Sequence, residues 1–164
     1  MVFEPPSIVN QPAKPLHVLQ VSPYFPPTWA YGGIPRIVHG LSRALVGRGN
    51  KVSVWTTDAL DAEMRSGQAG EHHLDGVRVL VSKNMSNRLA YHHQLFLPRG
   101  ASSALNRLTD VDLVHLHGHR HLLNNAAIRW AKSRGIPWVF TPNGTLPRQE
   151  RKLGIKLFWD TVVA

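Results

Sequence analysis

An α/β domain with a doubly wound parallel sheet is the fold this chain of 164 residues predicts. Three observations carry the prediction. Short apolar runs rich in β-formers alternate with stretches whose apolar residues recur at helical spacing. The first run passes through a Gly-Gly loop into a helix, and a second run follows that helix. No internal repeat or low-complexity tract interrupts the alternation, and a strand–helix–strand order of this kind places helices on the faces of parallel strands.

The elements follow in order. Residues 1–15 hold four prolines and no periodicity, and read as a loose arm ahead of one domain over 16–164. Residues 16–22 are mostly apolar, as in a strand buried on both faces. Pro23, Pro26, Pro27, Gly32 and Gly33 make the next loop, and Pro35 suits a first helical turn. Ile34, Ile37, Val38, Leu41 and Leu45 form an apolar stripe, and Gly49 supplies a left-handed stop. Residues 51–57 are a second strand, reached by a right-handed crossover. Residues 58–76 are polar and read as a mobile excursion; 77–82 are a third strand. Residues 84–99 lack a period, and a short helix runs over 101–108. A fourth strand at 112–117, a helix at 122–133, a fifth strand at 137–141 and a helix from 148 to the end complete the reading.

Composition narrows the class. A hydrophobic content of 43% with five Trp describes a globular chain, and the absence of cysteine removes disulfides and thiolate metal sites. No apolar run approaches the roughly 20 residues of a membrane-spanning helix, and the N-terminus lacks the pattern of a secretory leader. A cytoplasmic protein is expected. Lys and Arg number 19 against 10 acids, for a net charge of +9. From Arg120 onward eight basic residues face only Glu150 and Asp160, a field that favours anionic partners.

Ligands of open parallel sheets bind beyond the carboxyl ends of the strands. Three loops qualify. Tyr31-Gly32-Gly33 leads into a helix N-terminus whose free N–H groups can meet a phosphate, although the loop is not GxGxxG; the glycines could equally serve only a sharp bend. Asp58, near the end of the second strand, sits where a ribose-binding acid would, without the fingerprint such a site needs. His115, His117, His119 and His121 fall at alternate positions after the fourth strand. A metal set would need convergent ligands and second-shell carboxylates, and neither HExxH nor HxHxD is present. The alternative buries His115 and leaves His117 at the strand end to hydrogen-bond a hydroxyl, with His119 and His121 in solvent. The turn Pro142-Asn143-Gly144 tolerates positive φ and sets Asn143 beside Arg148, either as an oxygen-binding site or as an ordinary turn with a helix cap.

Together the YGGI opening, DVDLVHLHG and GIPWVFTPNGTLP resemble the N-terminal domain of family 4 (group 1) glycosyltransferases, over residues 16–160. The resemblance implies one half of a GT-B architecture, a Rossmann-like domain that mainly binds the acceptor. It implies a hexosyltransferase-type enzyme of polysaccharide assembly, retaining anomeric configuration, with a nucleotide sugar as co-substrate and no cofactor or metal. Tyr31, Gly32 and Gly33 match the loop that closes on donor phosphates and acceptor. His117 matches the histidine lining the sugar site, the catalytic candidate, and Asn143, Gly144 and Arg148 complete the substrate-binding set. Asn143 replaces the histidine usual in that turn, which places a proton-transfer role there in doubt.

The family's acidic donor motif belongs to a C-terminal domain, and Glu150 is the only glutamate after Glu71. The expectation is therefore a domain lacking its donor-binding half and inactive alone. Its acceptor would be a glycan or a lipid-linked glycan, with the basic surface serving a peripheral place at the inner face of the membrane and no nucleic acid bound. Two readings from other classes compete. One is a non-catalytic basic module binding anionic ligands or nucleic acid, although no nucleic-acid motif is present. The other is a histidine-rich metal hydrolase.

Overall fold

The computed structural model describes residues 14–119 and 121–144. The loose arm and the C-terminal helix expected from the sequence, with Arg148, lie outside the described residues. Six strands form one sheet in the order β3-β4-β2-β1-β5-β6, with β1 at His17–Val21, β2 at Lys51–Thr57, β3 at Gly70–Leu74, β4 at Val77–Ser82, β5 at Leu113–His117 and β6 at Trp138–Thr141. All neighbours pair in parallel except β3, which runs antiparallel to β4. The Rossmann-like α/β fold is that of a GT-B half.

β1 is buried along its whole length because it is central, and its apolar run HVLQV suits burial on both faces. Alternate side chains feed two cores. Leu19, Val21, Trp55, Leu80, Val114 and Leu116 point to one face. That face is covered by helices α3 (Ala101–Leu105) and α4 (Leu122–Lys132). Val52, Val54, Val77, Val79 and Val81 point to the other, where Val38 of helix α1 (Ile34–Gly47) packs on them. Burying each of these side chains contributes roughly 1.5–3 kcal/mol. The polar atom of Trp55 is satisfied as well, its indole N–H donating to Ser82 Oγ at 3.0 Å.

Several expectations change. The excursion after β2 contains a strand, β3, joined to β4 by Asp75-Gly76, whose φ values of 49° and 78° make a two-residue hairpin turn. Residues 84–99 contain a helix, α2 (Asn87–His93), capped by Ser86 Oγ accepting from the Leu89 N–H. In α1, Ile37 leaves the expected stripe and is 51% exposed, because the buried side chains are Pro35, Val38 and Ser42. Gly49 does close α1, at φ 82°, with its N–H on the Val46 carbonyl at 2.9 Å.

The strand order reverses at β1. β2 pairs with one side of it and β5 with the other, and ligands of open α/β sheets bind beyond the carboxyl ends of the strands at such a reversal.

Candidate functional site

The loop after β1 begins at Ser22, whose hydroxyl donates to the Tyr24 carbonyl at 2.7 Å, and contains a cis Pro26-Pro27 bond. Tyr24 turns into the core. Tyr31 stacks on it with ring centroids 5.1 Å apart and meets Phe96 and Tyr91 edge-on. Burial, with smaller contributions from Asp61 and Tyr91, pushes the Tyr31 phenol up to about 12, so it is a neutral donor. Its buried hydroxyl has no hydrogen-bond partner among the described residues.

Gly32 then takes φ 88°, ψ −139°, which side chains rarely adopt. Gly33 is different, with an ordinary φ of −79°. A Cβ on either would meet nothing within 4 Å. Gly33 caps α1 without a side-chain hydrogen bond, and no acid occupies the first turn. The first-turn N–H groups have no helical acceptor, and the Arg36 guanidinium in that turn is held 4.9 Å above the Trp29 ring.

The loop after β5 is closed. His115 and His117 share a face of the strand, their ring centroids 4.1 Å apart. The sequence expectation for this pair is reversed: His117 is 1% exposed, and His115 is the half-buried one. The physical reason is Gln20, a polar residue inside β1 whose Cα pairs with that of His115. His117 Nε2 lies 2.6 Å from Gln20 Oε1, and its Nδ1 lies 3.3 Å from Asn143 Nδ2. An Nε2–H tautomer satisfies both contacts, donating to Gln20 and accepting from Asn143. Burial, helped by the neighbouring His115, lowers His117 to about 3, so the ring is neutral at ordinary pH. His115 Nε2 reaches Thr141 Oγ1 at 2.7 Å, which ties β5 to β6.

Asn143 is the outer end of this chain of contacts. It stands at φ 50° and half-buried, with Gly144 at φ 77° exposed beside it. The strand-end loop is fixed from below by the Gly118 N–H on the Thr141 carbonyl, 3.0 Å, and by Asn124 Nδ2 on the Gly118 carbonyl, 2.7 Å.

His121, expected in solvent, is buried between Tyr24 and Phe96. Burial, and to a smaller extent His119, lowers it to about 4, against an opposing pull from the Gln94 backbone. Neither ring nitrogen makes a hydrogen bond of normal geometry among the described residues. His119 is half-buried, with its ring against Phe140.

Thus Tyr31, Gly32 and Gly33 stand together in the loop after β1, and His117 supports Asn143, next to Gly144, in the turn after β6. Gln20, Tyr24 and Gly118 were missed by the sequence reading, and His121 was placed in solvent. The signal for Gln20 was there: one polar residue in the middle of a strand otherwise apolar. Asp58 belongs to the framework. Its carboxylate accepts both contacts from Arg65 Nη1, at 2.8 and 2.9 Å, and the Asn84 N–H at 2.7 Å, which leaves little for a ribose. Among the described residues no three His, Asp or Glu side chains converge as a metal site would require. No described helix is long and apolar enough to cross a membrane.

The strand order of the mostly parallel sheet, with helices packed on it, defines a Rossmann-like domain. A model of Glycosyltransferase Family 4 matches residues 31–162, and the chain belongs to that family. No curated protein matches the chain. The function is accordingly of the glycosyl-transfer type, with a sugar donor and an acceptor as its partners in general.

Proposed function

We propose that this domain is the acceptor-binding half of a retaining, hexosyltransferase-type enzyme. It uses a nucleotide-sugar donor, a glycan or lipid-linked acceptor, and no metal or other cofactor. The reading is supported by two features that follow parallel strands at the carboxyl end of the sheet, an uncapped helix start at Gly33 after β1 and a supported amide at Asn143 after β6. The α1 N–H groups favour the anionic diphosphate, and favour it more as the bond to the sugar breaks and negative charge grows on the leaving oxygen. Asn143 and the backbone around Gly144 supply neutral donors and acceptors suited to sugar hydroxyls.

His117 works here as a positioning residue. Its neutral ring, held by Gln20, keeps the Asn143 amide in place, and it meets the ligand through that amide. A neutral imidazole beside the site also avoids placing a cation where the sugar ring develops positive charge. The expected setting is cytoplasmic, in polysaccharide assembly, at or near an anionic membrane face.

Transfer assays with a panel of nucleotide sugars and glycan or lipid-linked acceptors test this, using the domain joined to a donor-binding half. Asn143→Ala should raise the acceptor KM roughly tenfold, the worth of one or two hydrogen bonds. His117→Gln should lower kcat/KM less, with KM changing more than kcat. Unchanged kinetics in Asn143→Ala would overturn the site assignment. Turnover by the 164 residues alone would overturn the need for a partner domain. Nucleic-acid binding with a steep salt dependence, and no response to nucleotide sugars, would favour the basic-module reading instead.

A further inference from the structure

A concavity elsewhere in the fold shares no residue with the candidate site described above. It is a pocket of about 350 Å³ between the start of β3, the end of β4 and α3. Ser82, Lys83, Arg99, Ser103 and Arg107 line it over the apolar floor of Leu80. That volume falls within the roughly 300–1,000 Å³ range of small-molecule sites, larger than a bare ion needs.

Its charge is one-sided. Three cations line the pocket, and no acid does. Glu71, next to the lining residue Gly70 on β3, is already committed: Arg78 donates to its two oxygens at 2.7 and 3.0 Å. That hydrogen bonding, with further help from the charge of Arg107, holds the Glu71 carboxyl below its usual range. Among the described residues Lys83, Arg99 and Arg107 make no ion pair.

The backbone that carries these cations is tied down, while their side chains are exposed. The Arg99 N–H donates to the Lys83 carbonyl at 2.8 Å, and an Asn84–Pro98 bridge closes the loop between them. Arg78, from the sheet, reaches the Arg107 carbonyl at 3.5 Å. Three cations lining one hollow repel one another, with only Arg107 partly offset, by Glu71. An oxyanion placed among them removes that cost and meets planar guanidinium donors in a geometry that fits phosphate.

We propose that this pocket binds a phosphate group carried on a small organic or lipid moiety. The proposal rests on the pocket alone and stands whether or not the candidate site performs glycosyl transfer. Two sources share that chemistry, a phospholipid headgroup and a soluble phosphate ester.

The test is a titration of the whole 164-residue chain with inorganic phosphate, followed by amide chemical shifts. Saturable shifts are expected at Gly70, Gly100, Ser103 and Ala104, weakening as salt rises. Arg99→Gln and Arg107→Gln lie on exposed side chains and should fold as the parent does. Each should weaken phosphate roughly tenfold, as expected for loss of a charge-assisted hydrogen bond. Sedimentation with phosphatidylglycerol vesicles, against phosphatidylcholine controls, separates the sources. Retention lost in the double variant assigns a lipid headgroup. Phosphate shifts without retention assign a soluble ester. Absence of saturable shifts, or shifts unchanged in the double variant, would overturn the site.

Discussion

The loops after β1 and β5 leave the same end of the sheet on neighbouring strands, yet they are built in opposite ways. The first is open: Gly32 and Gly33 have empty space where side chains would stand, and α1 begins without a side-chain cap. The second is closed: Gly118 is overlaid by His121, His117 is clamped between Gln20 and Asn143, and both rings are buried. The contrast separates two jobs that residue types alone do not distinguish. Glycines at the first loop leave room for something outside the chain, whereas histidines at the second hold the chain itself. Histidine density therefore signals support here, with Asn143 at the outer end of the supported contacts.

The closed loop makes the largest prediction, because it keeps two histidines neutral. Relative to an ordinary value of 6.5, His117 is lowered to about 3 and His121 to about 4, both chiefly by burial. Above about pH 6.5 both states of the chain hold these rings neutral, and they contribute no pH dependence. Below that, the unfolded chain takes up protons that the folded chain refuses. Stability should then fall as pH falls, by on the order of 2–3 kcal/mol per pH unit for the pair, until the rings titrate in the folded state near pH 4 and then 3. His17 and His115, also lowered by burial, act in the same direction. Urea midpoints measured between about pH 7 and pH 5 check the slope. A flat profile would mean that both rings are open to solvent, and the contrast between the loops would disappear.

Gly118→Ala attacks the same loop through the backbone. The residue stands at φ 73°, and an added Cβ would come within 2.8 Å of His121 Nε2 and 3.0 Å of its Cδ2. His121 is buried on Tyr24 and Phe96 and cannot swing away without moving them. The expected loss is about 2–4 kcal/mol, combining the left-handed backbone cost with overpacking. Adding His121→Ala should recover the overpacking part, which urea denaturation of the two single variants and the double variant would reveal. No recovery would place the strain elsewhere in the loop.

The sheet was legible in the sequence and the site only partly. β1, β2, β4 and β5 are largely apolar runs because other strands flank them on both sides, and that signal is local. β3 reads GEHHL, polar on both faces, because it is an edge strand with one partner. Its best clue was Asp75-Gly76 between Leu74 and Val77, the dipeptide of a tight hairpin. α2 buries only Asn87 and Ala90, so it shows no apolar stripe. The burial of His117 depends on Gln20, 97 residues away, and on Asn143 across β6. No window along the chain contains that information. The open loop was legible because its glycines act through local conformation, which residue type does encode.

Gly33→Ala gives the smallest stability change and divides the two readings of the open loop. At φ −79° and ψ −27° alanine adopts the same backbone, and nothing lies within 4 Å of its Cβ. Stiffening the unfolded chain stabilises, while alanine is a poorer first-position cap than glycine, so the two effects offset to within about 1 kcal/mol. Gly32→Ala makes the necessary control, since its φ of 88° forbids an easy replacement and the fold itself should weaken. If the backbone at Gly33 is approached by a donor phosphate, the methyl group occupies that space. Transfer in the two-domain enzyme should then fall roughly tenfold or more, with the melting temperature nearly unchanged. Full activity in Gly33→Ala would reduce the glycine pair to a bend between Tyr31 and α1, with Gly32 alone required for it. Lost activity at unchanged stability would mean that the empty space beside Gly33 is reserved for substrate, since nothing in the folded chain fills it.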